Sequence, residues 1–249
     1  MHPLVATSSS DGIVTVTLNR AAARNALSRE LIAALGDAVD DVQRDTSARV
    51  MILAGAGKSF CAGMDLKAVR SDPAAMGDML RTLSRVSRRI RRLSIPTIAR
   101  VQGAAIGGGC GLMVVCDFAV THPEAKLGYP EVDLGICPAV VAPWLVKRIG
   151  AGRARAMLLA GGTMDGAAGH AAGLATHLVP LDALESAANE LAARLATGGP
   201  LALAATKRWL NHLDASDEDA ILDRAAELSA EIIAGAEAQA RLAALWGGT

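Results

Sequence analysis

The chain has 249 residues, 51% of them hydrophobic and 20% charged, with only 2% aromatic. Lys plus Arg and Asp plus Glu both number 25, so no global field favours nucleic acid or an anionic membrane, and any anion site has to be local. Four cysteines, Cys61, Cys110, Cys116 and Cys137, form no CxxC pair and lack histidines at zinc spacing, which argues against a metal site and for reduced thiols.

The first predicted strand is Ile13 to Leu18, a β-rich run that follows the turn signal Asp11-Gly12. Ser28 then caps an amphipathic helix with apolar positions at Leu31, Ile32, Leu35, Val39 and Val42, ending near Asp45. A second strand follows at Val50 to Leu53. Beyond a glycine-rich loop the spacing predicts an arginine-rich helix from Pro73 to Leu93, and Pro96 separates it from a strand at Thr97 to Val101. Gly107 to Cys116 reads as a helix opened by glycines, leading to a strand near Phe118 to Val120. From Pro138 helices dominate: Val140 to Ile149, Gly152 to Leu159, Asp165 to Ala171, Leu181 to Ala196, Leu201 to Leu213, and Asp217 to Leu245 with a break at Gly235.

Strands alternate with helices to about residue 190, so residues 1–190 are expected to form an α/β core and residues 191–249 a helical region packing on the core or on a neighbouring subunit. The N-terminus shows no basic segment followed by an apolar run. The longest apolar stretch, Ala104 to Cys116, is too short for the ~20 residues of a membrane-spanning helix. A cytoplasmic protein without membrane attachment is expected.

Two glycine-rich segments each follow a predicted strand: Gly55-Ala56-Gly57-Lys58-Ser59-Phe60-Cys61-Ala62-Gly63-Met64-Asp65-Leu66, and Gln102 to Gly111 with the triplet Gly107-Gly108-Gly109. Backbone N–H groups in such turns and at helix N-termini are fixed donors for negative charge developing on a carbonyl oxygen. Neither segment has the spacing of a P-loop or of GxGxxG. Together with Arg24-Asn25-Ala26-Leu27 and Leu127-Gly128-Tyr129-Pro130-Glu131, and with Gly135 and Pro138 beyond, the chain resembles the crotonase (enoyl-CoA hydratase/isomerase) superfamily over nearly its whole length.

The resemblance implies a spiral of ββα units with a helical C-terminal trimerisation or lid region, assembled as a homotrimer or hexamer, and an acyl-CoA thioester as substrate. Coenzyme A is then part of the substrate and no separate cofactor is expected. It also implies that the N–H groups of Ala62 and Gly108 hold the thioester oxygen, with Glu131 as acid/base. Around them, Arg24, Lys58, Asp65, Leu66, Gly111 and Tyr129 are expected to contact substrate. Hydratases of the superfamily commonly carry a second glutamate where this chain has Gly111, so Glu131 stands alone. A lone carboxylate suffices to shuttle a proton in double-bond isomerisation, whereas two hold a water more firmly for hydration. Gly111 could serve helix packing or leave room for a bulky acyl group, and Asp133 is the nearest acid in sequence.

Three readings follow: an enoyl-CoA hydratase/isomerase-type enzyme, a 3-enoyl to 2-enoyl isomerase in particular, and a non-catalytic acyl-CoA- or RNA-binding member. Arg81, Arg85, Arg88 and Arg92 share one helix face, a solvated or subunit-facing stripe. Without interleaved aromatics it makes nucleic acid an unfavoured partner.

Overall fold

The computed structural model describes residues 3–69 and 72–247. Its main sheet has six strands in the order β1-β2-β3-β4-β6-β9, antiparallel between β1 and β2 and parallel elsewhere. The strands are β1 (Val5–Ser10), β2 (Ile13–Leu18), β3 (Val50–Gly55), β4 (Thr97–Val101), β6 (Phe118–Thr121) and β9 (His177–Leu178). A smaller sheet contains β5 (Ala104–Ile106), β7 (Lys126–Gly128) and β8 (Thr163–Asp165). Bridges Leu27↔Met64 and Cys61↔Ala105 extend its edge, so successive turns of chain contribute first to one sheet and then to the other.

β1 has no apolar alternation and lies outside the expected strands. It forms because Asp11 and Gly12, with φ of 52° and 76°, make the two-residue turn that folds Ser10 directly opposite Ile13. β3 is buried at all six positions, as its unbroken apolar run requires when both faces are covered. On one face lie α1 (Arg29–Arg44) and α2 (Pro73–Arg92); on the other, Val50, Ile52, Ile98 and Val120 meet Leu184, Ala188, Leu191 and Ala192 of α7. The Ser28 hydroxyl caps α1 by accepting the Leu31 N–H at 3.3 Å.

The remaining helices are α3 (Gly108–Val115), α4 (Ala142–Ile149), α5 (Ala151–Ala160), α6 (Gly166–Ala172), α7 (Leu184–Ala196), α8 (Pro200–Leu213), α9 (Ala220–Ala234) and α10 (Ala236–Gly247). The expected boundary at residue 190 falls inside α7, which is part of the sheet packing. The helical region therefore starts with α8. No helix among the described residues is long and apolar enough to cross a membrane.

Three of the four arginines in the α2 stripe, Arg81, Arg88 and Arg92, are paired with acids of the α9 segment. Arg81 bonds Glu227 at 2.8 Å, Arg88 pairs with Asp219 and Asp223, and Arg92 with Asp219, all at the N-terminal approach to α9 or along it. The stripe therefore fixes α9 across α2. That position makes α9 one wall of the cavity described next.

Candidate active site

The loops after β2, β3 and β4 leave the carboxyl ends of neighbouring parallel strands, where open α/β sheets gather ligands. Asn25, fully buried in a left-handed conformation, ties two of them together. Its side-chain amide donates to the Ser59 carbonyl at 2.8 Å and the Ala56 carbonyl at 2.9 Å, and its oxygen accepts the Arg20 N–H at 2.9 Å. The Arg20 guanidinium then bridges the Ala26 carbonyl and the Asp65 carboxylate. Sequence reasoning gave Arg20 no role, and Asp65, expected to contact substrate, instead braces this loop.

Beside the loops is a cavity of about 120 Å³ lined by Ala62, Met64, Leu66, Gly108, Glu131 and Val141, among others. Gly108 opens α3, so its N–H has no carbonyl one turn earlier in the helix to bond, and none among the described residues accepts it. Ala62 does not supply the second donor. Its N–H is already given to the Arg24 carbonyl at 3.0 Å. Two residues on, Leu27 donates to the Gly63 carbonyl at 2.8 Å and accepts the Asp65 N–H at 3.0 Å. In a parallel pairing of that form the intervening residue, Met64, turns its own N–H the other way. No backbone acceptor for it exists among the described residues, and its side chain lies next to Gly108, where an added Cβ would come within 3.7 Å of Cγ. The free pair at this corner is Met64 and Gly108, in place of Ala62 and Gly108.

Glu131 sits in a short 3-10 turn, Pro130–Leu134, that presents it to the cavity. Its carboxylate lies over Gly107: a Cβ on that glycine would stand 2.9 Å from Oε1, and Gly107 has φ of 53°. The positive φ favours glycine there, one residue before the Gly108 donor, and a side chain would in addition push the Glu131 carboxylate aside. Oε2 is shut off from solvent and has no hydrogen-bond partner among the described residues. Burial, with a smaller repulsion from Asp133, raises the Glu131 pKa to about 7. Asp133 itself is exposed and accepts the Gly162 N–H at 3.0 Å, so it does not stand in for a second acid.

Two further expectations are corrected. Gly111 leaves no room for an acyl group, because a Cβ there would meet Val141 Cγ1 at 2.5 Å; the valine fills the space a longer side chain would need. Tyr129 is 1% exposed and packed against Cys110, where burial raises its hydroxyl pKa, and it does not reach the cavity. Arg24 and Lys58 are exposed on the loops and line none of it. Cys61, Cys110 and Cys116 are buried thiols pushed up to about 12 by desolvation. His122 accepts the Gly103 N–H at 3.2 Å and faces Glu124, a supporting contact. Leu80, Leu83, Ser229 and Ile233, which also line the cavity, carried no local signal in the sequence because α2 and α9 bring them there.

A two-sheet spiral with two unspent N–H donors beside one partly buried carboxylate is the arrangement of an enzyme of the crotonase class. The sequence pattern of the enoyl-CoA hydratase/isomerase family matches residues 8–244. The chain belongs to that family. It is 35% identical over 201 residues to the 2,3-dehydroadipyl-CoA hydratase of Escherichia coli, covering 80% of this chain and 78% of that one. It is 34% identical to the 1,2-epoxyphenylacetyl-CoA isomerase of the same organism, over 85% of this chain and 83% of that one. The crystal structure of an enoyl-CoA hydratase/isomerase from Xanthobacter autotrophicus Py2 superposes with a TM-score of 0.90 at 26% identity, covering 100% of this chain and 95% of that one.

Proposed function

We propose that the enzyme acts on an enoyl-CoA thioester through an enolate, with the N–H groups of Met64 and Gly108 as the oxyanion hole and Glu131 as its single acid/base. The observation carrying this reading is the placement of Glu131 over Gly107, one residue from a free Gly108 N–H, in a cavity whose other side chains are almost all apolar.

The chemistry that this geometry supports best is movement of a double bond. Ionised Glu131 takes a proton from C2 of a 3-enoyl thioester. The electron pair of that C–H bond passes into the carbonyl, and the two N–H donors hold the oxygen as its charge develops. Protonated Glu131 then returns the proton to C4 as the double bond settles between C2 and C3. A pKa of about 7 leaves both protonation states populated near neutral pH, as a group that takes and returns one proton needs.

Hydration is the second reading, favoured by the hydratase named among the relatives. There water adds to C3 with Glu131 taking its proton, and the enolate is then protonated at C2. Val141 disfavours it by filling the place beside Gly111, so that a water would have Glu131 as its one strong partner where ordered waters usually make two to four contacts.

Arg24 and Lys58 carry positive charge on exposed loops and would serve the coenzyme phosphates. The exposed apolar residues Leu201, Trp209, Leu210 and Leu213 on α8 suit assembly with further copies, the homotrimer or hexamer the resemblance implies. The test is turnover of a 3-enoyl-CoA and of crotonyl-CoA, followed by thioester absorbance, for the wild type and Glu131→Gln. Unchanged turnover in the variant sinks Glu131 as acid/base; binding of both thioesters without turnover supports a non-catalytic member.

A further inference from the structure

We propose that the acyl end of this cavity takes a short, uncharged chain of about four carbons and rejects an acyl group that is long or that ends in a carboxylate. The inference rests on the acyl-thioester reading above and specifies its substrate class.

Size sets the upper limit. The cavity measures about 120 Å³, below the ~150 Å³ of an apolar protein cavity that holds one benzene ring. It has to accommodate the carbons beside Met64, Gly108 and Glu131 as well as the distal end. The distal wall is closed by α9. Ile233 is 0% exposed and Ser229 1%, and both face the cavity together with Leu80 and Leu83 of α2. The Ser229 hydroxyl donates to the Cys137 carbonyl at 3.0 Å and accepts the Val140 N–H at 3.2 Å, so it ties the opposite wall to α9. Lengthening the chain therefore means displacing a helix that Arg81, Arg88 and Arg92 hold by ion pairs.

Charge sets the second limit. No lysine, arginine or histidine lines the cavity among the described residues. Glu131 and Ser229 are its polar side chains, and the serine hydroxyl already has both a donor and an acceptor partner. The α2 arginines closest in sequence to Leu80 and Leu83 are turned outward, Arg81 to Glu227 and the exposed Arg85 to the Thr82 hydroxyl. A terminal carboxylate would lose its water, gain no cation, and share a small apolar space with the Glu131 carboxylate. Each of these disfavours binding.

Calorimetric titration with saturated thioesters, which bind without reacting, tests this. Butyryl-CoA, decanoyl-CoA and glutaryl-CoA share the coenzyme and differ in the acyl end. Butyryl-CoA is expected to bind at least about 30-fold more tightly than either of the others. Ile233→Ala should bring decanoyl-CoA at least about tenfold closer to butyryl-CoA and leave the discrimination against glutaryl-CoA in place. Equal binding of butyryl-CoA and glutaryl-CoA, or of butyryl-CoA and decanoyl-CoA, overturns the proposal while leaving the thioester reading intact. If no thioester binds, the function reading fails, and the acyl class with it.

Discussion

Replacing Glu131 by Gln removes the acid/base and should at the same time make the protein more stable at neutral pH. Burial raises the carboxyl pKa from 4.5 to about 7, so the folded state holds the proton more tightly than the unfolded chain does. The stability this proton contributes is complete below the unfolded pKa and is lost as pH rises from about 4.5 to about 7. A shift of that size corresponds to roughly 3 kcal/mol at about pH 8 and about 1 kcal/mol at about pH 5, using ~1.4 kcal/mol per pKa unit. Glutamine is isosteric and uncharged, and escapes that cost. The gain of Glu131→Gln over the wild type should thus be about 2 kcal/mol larger at about pH 8 than at about pH 5, or roughly 4–8 °C in melting temperature for a chain of this size. Urea or thermal denaturation of both proteins at the two pH values measures it. An equal difference at both would refute the idea that a charged Glu131 is the strained state.

Gly108→Pro places proline at the first residue of α3, where its ring suits the helix, and removes the proposed donor N–H. Turnover should fall by about 10²–10³ in a protein whose circular dichroism is unchanged, and full activity would rule the donor out. Gly111→Ala should destabilise by about 1–3 kcal/mol because its methyl meets Val141. Adding Val141→Ala should recover part of that loss, and a double-mutant cycle with no coupling would contradict the contact. Arg88→Ala should loosen α9 by up to ~1 kcal/mol at low salt, discounted because its acidic partners are largely exposed. Most of the effect should vanish in about 1 M salt, and a salt-independent loss would point to packing instead.

What could be read from the sequence was what neighbouring residues decide among themselves. The Ser28 cap, the apolar face of α1 and the doubly buried run of β3 are local patterns, and each appears where its residues predict. The second sheet is not of that kind. β5, β7 and β8 have three residues each, too few for a period to show, and what makes them strands is the return of the chain to the same place on successive turns of the spiral.

The site divides along the same line. Two glycine-rich loops and a glutamate are visible as residue types, but which N–H is free depends on a hydrogen-bond register set across the chain. Leu27 bonds on both sides of Met64, and Arg24 takes the Ala62 N–H, so a two-residue difference that no local motif records decides which N–H is left unspent among the described residues. Gly111 makes the same point for specificity. Read alone, its missing side chain could mean an open pocket or a packing position, and thirty residues later Val141 selects packing. Val141 fills the volume beside Gly111 with an isopropyl group, and the burial of Glu131 in a cavity lined almost wholly by apolar side chains raises its pKa to about 7.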